Sequence, residues 1–235
     1  MTALKSPWLI AFAVASVVHL VLNGADASPW DSITKCLLAP FLAAWVIEQD
    51  GPRLLVVALG FCFLGDLFLE LDDDVFVIGM AAFAAAHICF IRFFVQRGAV
   101  DRLRRRPLIL VVYVAAAIGL VAWCWGGLEP GLRPVIPIYA ALLIGTASTS
   151  LATDLRAGIG GALFLVSDGI IALGEADRID KETTGTGLAI MGLYILAIFF
   201  LTTGILGREK ATIAAGPGFD PTVRTDCWPR LPDTM

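Results

Sequence analysis

The chain alternates long apolar runs with short connectors that carry charges, prolines or glycines. A helix that crosses a bilayer needs about 20 mostly apolar residues, and lipid offers no partner to free backbone groups, which favours helices over strands. Eight runs meet this length: 8–23, 31–48, 53–71, 75–96, 107–126, 134–151, 157–174 and 187–206. The pattern therefore predicts an all-α, polytopic membrane protein whose eight transmembrane helices form one domain, residues 1–206.

Composition supports this fold class. Of the 235 residues, 58% are hydrophobic and 16% are charged, with a mean hydropathy of +0.82, whereas a soluble domain has about a quarter of its residues charged. Residues 207–235 are polar and rich in proline and glycine, which predicts a disordered cytoplasmic tail. The five cysteines show no paired short spacing, and four lie in apolar runs. We interpret them as packing residues rather than metal ligands or disulfide partners.

Lysine and arginine are distributed unevenly between the connectors. Twelve fall at the termini or in connectors on the same side as the N-terminus, and three, Arg133, Arg178 and Lys181, fall on the other side. Positively charged connectors stay in the cytoplasm, so we expect both termini there, in a protein of a bacterial inner membrane. The arginine-rich segment 102–106 fits anionic lipid better than nucleic acid.

The first apolar run also permits another interpretation. Lys5, the apolar stretch after it and the tripeptide "ADA" before Ser28 resemble a signal peptide with its cleavage site. Cleavage would leave seven spans and an exterior N-terminus.

Four of the ionisable side chains inside the apolar runs lie at a similar depth: Lys35, Asp66, His87 and Asp168. Asp66 is about 13 residues into its helix, or roughly 20 Å, and the other three fall in the same half of the bilayer. Such residues are costly on a surface that faces lipid and usually line a polar cavity. We therefore expect these four side chains to share a cavity.

The segments around the two aspartates also resemble each other. Residues 59–71 and 161–173 both place a small residue before the acid and a leucine five residues after it. The aspartates lie in the third and seventh runs, which run in the same direction. This similarity indicates a possible parallel repeat of four helices plus four, with a site between the halves.

Each of these residues has a structural interpretation as well. An aspartate inside a membrane can simply hydrogen-bond to a neighbouring helix, Lys35 can extend its ammonium group to the surface, and His87 can be a structural histidine. We interpret His19 as structural, because no acid lies near it in the sequence.

Several segments together resemble the lysoplasmalogenase (YhhN-like) family of integral membrane proteins. They are "TKCLLAP", "GFCFLGDLFLEL", "FAAAHICFIRFF", "GALFLVSDGIIAL" and "YILAIFFLTTGIL". The "GD", "AH" and "SD" pairs, in this order and spacing, are the most specific part. The last segment departs from the family pattern at Ile198, where a glutamine is expected.

The resemblance implies an eight-helix enzyme without a cofactor that hydrolyses the vinyl ether bond of lysoplasmalogens. The substrate, a lysophospholipid with an ethanolamine or choline headgroup, would give a fatty aldehyde and a glycerophospho-base. A proton added to the β-carbon of a vinyl ether leaves an oxocarbenium-like cation that water attacks, and glycosidases divide similar work between two carboxyl groups. Membrane lipids are the other expected partners, and the sequence does not indicate an oligomeric state.

The residues can be matched to this chemistry. Asp66 and Asp168 are the candidate catalytic acid–base pair, and Lys35 is the candidate for the substrate phosphate. The candidates for orienting the acids, the water or the substrate are His87, Ser167, Tyr139 and Tyr194.

Two other functions fit the same residues. A metal-dependent lipid hydrolase would need about three protein ligands for zinc; the chain has two histidines, so Asp66, His87 and Asp168 would have to supply them. A proton-coupled transporter of small molecules or lipids also places acids near the middle of the membrane between repeats.

Overall fold

The computed structural model describes residues 6–71 and 75–214, and this part of the chain contains helices and no strands. Its nine helices are α1 Pro7–Gly24, α2 Trp30–Glu48, α3 Arg53–Leu69, α4 Phe76–Gln96, α5 Ala99–Arg105, α6 Pro107–Cys124, α7 Val135–Thr153, α8 Leu155–Glu175 and α9 Thr184–Ala214. The all-α prediction is confirmed. The eight long helices correspond to the eight apolar runs, and the short α5 covers most of the arginine-rich segment.

Local sequence signals set several of the helix ends. Pro7 and Pro107 begin α1 and α6, where the missing N–H of proline is no loss and its fixed φ suits a helix. Asp154 alone separates α7 from α8, and its Oδ1 accepts a hydrogen bond from the backbone N–H of Ala157 at 3.0 Å. This cap starts α8 directly after α7 ends, so the two helices form a tight hairpin.

The protein is an integral membrane protein. Seven helices in the described part are long and apolar enough to cross a membrane. These seven are all of the long helices except α3, which has 17 residues. The side chains of α6 lie at the edge of the bundle, since only Ala117 and Cys124 of this helix are buried.

The helices pack in pairs around a main core, and a smaller cluster of buried side chains lies near the ends of α6 and α8 and the start of α7. α8 packs against α7 and α9, α3 packs against α2 and α4, and α4 also meets α7. Large buried side chains at these contacts include Phe90, Phe94, Phe164 and Leu201. A bundle of this kind places the middle of α3 and the middle of α8 on either side of its interior.

The last helix is longer than the sequence predicts. α9 continues to Ala214, so residues 207–214 are helical, whereas we predicted a disordered tail from residue 207. Glu209 in this extension forms a buried ion pair with Arg97, with 2.5 Å between Nη2 and Oε2. This pair holds the extension against the end of α4. The rest of the predicted tail, 215–235, lies outside the described residues.

Candidate active site

A cavity of about 90 Å³ lies inside the bundle, and both aspartates line it. Most of its other side chains are apolar, among them Met80, Phe83 and Leu143. Asp66 is only 1% exposed. The depth of Asp66 and Asp168 in the sequence predicts that the two acids share a cavity, and they do, but the expected cavity was polar whereas most of this lining is apolar.

Asp66 is held by a tyrosine from another helix. The hydroxyl of Tyr194, on α9, donates a hydrogen bond to Asp66 Oδ2 at 2.6 Å, and both residues are buried. Gly65, just before the acid, lets α4 approach closely, because a Cβ atom there would lie 2.5 Å from the ring of Phe83. The small residue of the "GD" pair is thus explained by packing next to the acid.

Asp168 has a matching partner. The hydroxyl of Tyr139, on α7, donates a hydrogen bond to Asp168 Oδ2 at 2.5 Å. Ser167 beside it donates to the carbonyl of Ile190 at 3.0 Å, which ties α8 to α9, and its side chain also lines the cavity. Each of the two candidate tyrosines therefore contacts one of the aspartates directly.

Lys35 also lines the cavity, and its ammonium group is paired. Lys35 Nζ lies 2.7 Å from Glu70 Oε1, and the two side chains are 15% and 26% exposed. Glu70 directly follows α3. Burial alone would raise the pKa of Glu70, but the ammonium of Lys35 holds it below its ordinary value. Glu70 is therefore a carboxylate at neutral pH, and sequence analysis missed it although it lies one helical turn after Asp66.

His87 is fully buried but does not line this cavity. Its Nδ1 lies 3.0 Å from Thr146 Oγ1, and its ring packs against those of Phe164 and Tyr139, at centroid distances of 4.6 and 5.7 Å. His87 can therefore affect Asp168 through Tyr139 rather than by direct contact. Thr146 was not a candidate, because no signal in the sequence separates it from the other small polar residues of α7.

The set Asp66, His87 and Asp168 does not form a metal site in the described part of the chain. No group of three His, Cys, Asp or Glu side chains there is arranged to hold a metal ion. The two aspartates instead accept hydrogen bonds from tyrosines, and His87 lies behind the cavity wall.

The sequence model of the YhhN family matches residues 30–205, three quarters of the chain. The chain belongs to the YhhN family. The matched segment of this YhhN family member contains Lys35, both aspartates and both tyrosines, while α1 precedes it.

Three relatives illustrate the similarity. This YhhN family member is 30% identical over 207 residues to lysoplasmalogenase TMEM86B of Homo sapiens, which covers 85% of this chain and 86% of that protein. It is 30% identical over 237 residues to a lysoplasmalogenase of Mycobacterium bovis, and the match covers 91% of this chain and 89% of that protein. It is 31% identical over 202 residues to lysoplasmalogenase TMEM86A of Bos taurus, and the match covers 73% of this chain and 79% of that protein. No solved structure matches.

Proposed function

We propose that this YhhN family member is a membrane hydrolase that cleaves the vinyl ether bond of lysoplasmalogens to a fatty aldehyde and a glycerophospho-base. The observation that carries the proposal is the pair of aspartates, each held by a tyrosine hydroxyl, on one apolar cavity inside the bundle. An apolar cavity suits an alkenyl chain, and the relatives described above are lysoplasmalogenases.

The reaction needs one proton donor and one group that accepts a proton from water. A carboxylic acid donates its proton to the β-carbon; the electrons of the double bond form the new C–H bond, and positive charge spreads over the α-carbon and the ether oxygen. Water adds to the α-carbon and loses a proton to a carboxylate. The hemiacetal then collapses: its hydroxyl gives its proton to the carboxylate that began as the acid, the C=O bond forms, and the bond between the α-carbon and the ether oxygen breaks. The other carboxyl group gives the ether oxygen the proton it took from water, so the products are the aldehyde and a glycerol hydroxyl, and both carboxyl groups return to their starting states.

Asp66 and Asp168 divide these roles. The proton that begins the reaction belongs to the pair, and general acid–base catalysis by such groups contributes about 10²- to 10⁴-fold. Tyr194 and Tyr139 hold the two carboxyl groups in place from α9 and α7. Pre-positioning of this kind matters because small displacements of a reacting group are costly in rate.

Lys35 provides the charge for the substrate phosphate, while the apolar part of the cavity takes the chain. Ser167 and Tyr139 border the same cavity, and His87 supports the ring of Tyr139 from behind. No step in this scheme uses a cofactor.

The proposal includes a membrane arrangement in which all eight long helices cross and both termini are cytoplasmic, in a bacterial inner membrane. At 1.5 Å per residue, the 17 residues of α3 extend roughly 26 Å, close to the thickness of the hydrocarbon core. The parallel repeat of four helices plus four remains a prediction. The tyrosines that bind the two aspartates do not occupy equivalent positions in such a repeat. They lie on α9 and α7, the eighth and sixth long helices, and a repeat of four plus four does not relate these two helices to each other.

The test is aldehyde release by the full chain, purified in detergent, from alkenyl lysophospholipids. The matched controls are lysophospholipids with a saturated ether or an ester at the same position, which we expect to release no aldehyde. Lack of aldehyde from every alkenyl substrate would refute the proposal, and proton-coupled uptake by proteoliposomes would then support a transporter. Loss of activity with a zinc chelator, restored by added zinc, would instead support a metal-dependent hydrolase.

A further inference from the structure

A second cavity, of about 220 Å³, adjoins the first at the end of the bundle where α1 and α3 end and α2 and α9 begin. Its polar lining residues are His19, Asn23, Asp31, Ser32, Lys35 and Glu70. Lys35 lines both cavities, as do Ile190 and Met191 of α9. The polar cavity and the apolar cavity therefore meet beside Lys35 and these α9 residues.

His19, which is 1% exposed, is one of the residues that line the second cavity. Its Nδ1 lies 3.0 Å from the backbone carbonyl oxygen of Asp31, and a carbonyl oxygen only accepts hydrogen bonds. Nδ1 therefore carries the proton and is the donor of this hydrogen bond. In the neutral imidazole, Nε2 is then an acceptor.

Three buried acceptors in this cavity have no hydrogen-bond partner in the described part of the chain. They are His19 Nε2, Asn23 Oδ1 and Asp31 Oδ1. A buried polar atom without a partner is costly and usually signals a missing ligand or water. All three of these atoms are acceptors, and the carboxylate of Asp31 adds negative charge, whereas that of Glu70 is paired with Lys35.

We infer that this second cavity binds the primary ammonium group of an ethanolamine lysophospholipid and so selects ethanolamine over choline headgroups. A primary ammonium has three N–H donors and a positive charge, which match the three acceptors and the negative charge that Asp31, one of them, carries. A trimethylammonium group has no N–H donor and is typically recognised by aromatic side chains. No Phe, Tyr or Trp is among the described residues that line this cavity.

The inference rests on the proposed function, because it places one substrate across both cavities. With the ammonium group beside Asp31, the phosphate lies at Lys35, and only the glycerol unit separates the phosphate from the vinyl ether. Asp66 lies four residues before Glu70, one turn or roughly 6 Å deeper in the bundle. The reactive bond then reaches the aspartates, and the chain enters the apolar cavity.

The site also goes beyond the family match. His19 and Asn23 lie on α1, before the matched segment 30–205. The family match therefore does not extend to these two residues, and headgroup selection by them is not implied by membership of the family.

The inference is tested by binding, which does not depend on catalysis. The probes are the saturated 1-O-alkyl lysophospholipids with ethanolamine or choline headgroups, measured with the detergent-purified full chain. We expect the ethanolamine lipid to bind at least about tenfold tighter. Asp31→Asn should weaken its binding by about 10- to 100-fold, since hydrogen bonds to charged groups are the strong ones, and should leave choline lipid binding unchanged.

Asp26→Asn is the matched control, because Asp26 is exposed, lies in the connector between α1 and α2 and does not line the cavity. Should Asp31→Asn fail to fold, Asn23→Ala removes one acceptor without a change in charge, and we expect the same selective loss. Equal affinity of the wild type for both headgroups, or equal losses for both in the variants, would overturn the inference and indicate that the cavity holds only water. If the ethanolamine lipid binds selectively but no alkenyl substrate releases aldehyde, the proposed function fails and the headgroup site stands.

Discussion

Each of the two aspartates accepts a hydrogen bond from a tyrosine hydroxyl, but the two tyrosines lie on different helices. Asp66 on α3 is bound by a tyrosine from α9, while Asp168 on α8 is bound by a tyrosine from α7. Each carboxyl group is thus tied to a helix other than its own. Because both line one cavity, the proposed mechanism treats them as one unit.

The first prediction at this scale concerns Asp66→Asn and Asp168→Asn. Asparagine is nearly isosteric and still accepts the tyrosine hydrogen bond, but it neither delivers nor takes up the proton. We expect each variant to remain folded and to lose about 10²- to 10⁴-fold in kcat. Groups that act as a unit are non-additive, so the double variant should be scarcely slower than either single one.

Aldehyde release at saturating substrate measures these rates, and size-exclusion chromatography checks folding. Near-wild-type activity of either single variant would remove that residue from the mechanism. Losses that multiply in the double variant would show that the two acids work independently.

The second prediction at this scale concerns Lys35→Met. The substitution keeps most of the apolar stem but removes the charge at the junction of the two cavities. If Lys35 binds the phosphate, KM for an alkenyl lysophospholipid should rise at least about tenfold, with a much smaller fall in kcat. KM for 1-alkenylglycerol, which has no phosphate, should change little.

Lys210→Met is the control, because Lys210 is exposed near the far end of α9 and bonds to Gln49. An equal change in KM for both substrates would assign Lys35 a structural role as the partner of Glu70.

Individual residues could be predicted from the sequence where an ionisable side chain lies inside an apolar run. Ionisable groups inside a membrane helix are costly, so Asp66, Asp168 and Lys35 were recognisable from the sequence, and the structure brings them to one cavity. Glu70 was not recognisable, because it lies beside the acidic run 72–74 and resembles part of a solvated turn. His19 was interpreted as structural because Asp31 and Glu70 approach it only in the folded bundle.

At the scale of elements, glycines determine how closely α8 packs. A Cβ atom at Gly160 would lie 2.6 Å from the backbone nitrogen of Leu201 and 2.7 Å from the carbonyl oxygen of Ala197, both on α9. A Cβ atom at Gly161 would lie 2.8 Å from Cα of Ala147 on α7. Small residues let helix backbones approach in this way in membrane bundles, so α8 is held between two neighbours that also carry the tyrosines.

The prediction at this scale is that Gly160→Ala destabilises the protein. The clashing atoms belong to the backbone of α9 and cannot rotate away, so α8 and α9 must separate, at a cost of about 1 to 3 kcal/mol. Gly192→Ala on α9 is the matched control, because nothing lies within 4 Å of a Cβ atom there. Thermal unfolding in detergent should show a lower midpoint for Gly160→Ala only, and equal midpoints would contradict the close packing of α8.

Helix-level prediction was close, because a bilayer demands apolar runs of a narrow range of lengths. The eight runs correspond to the eight long helices, with ends that differ by a few residues except at the C-terminus. There α9 continues beyond residue 206, and Glu209 of this extension pairs with Arg97. The sequence shows both charges but not that they meet, and α5 is too short and too polar for the apolar pattern to reveal.

At the scale of the whole molecule, the proposed orientation rests on the distribution of lysine and arginine. An even number of crossings, which requires α3 to cross, puts both termini on one side. We expect reporters fused within 97–106 and at the C-terminus both to indicate the cytoplasm, and a reporter fused within 176–183 to indicate the exterior. An exterior C-terminus would contradict the eight-span arrangement, and an exterior N-terminus alone would support cleavage after "ADA".

The sequence by itself determined the fold class, the number and approximate limits of the long helices and the acids of the candidate site. Each of these follows from a local rule. Lipid requires apolar runs of sufficient length, and an ionisable side chain inside such a run is costly and therefore marks a candidate site. Tertiary structure decided which side chains meet. Tyr194 and Asp66 are 128 residues apart in the chain, and Arg97 and Glu209 are 112 apart. Such pairs depend on how the helices pack, and local sequence patterns do not encode that packing.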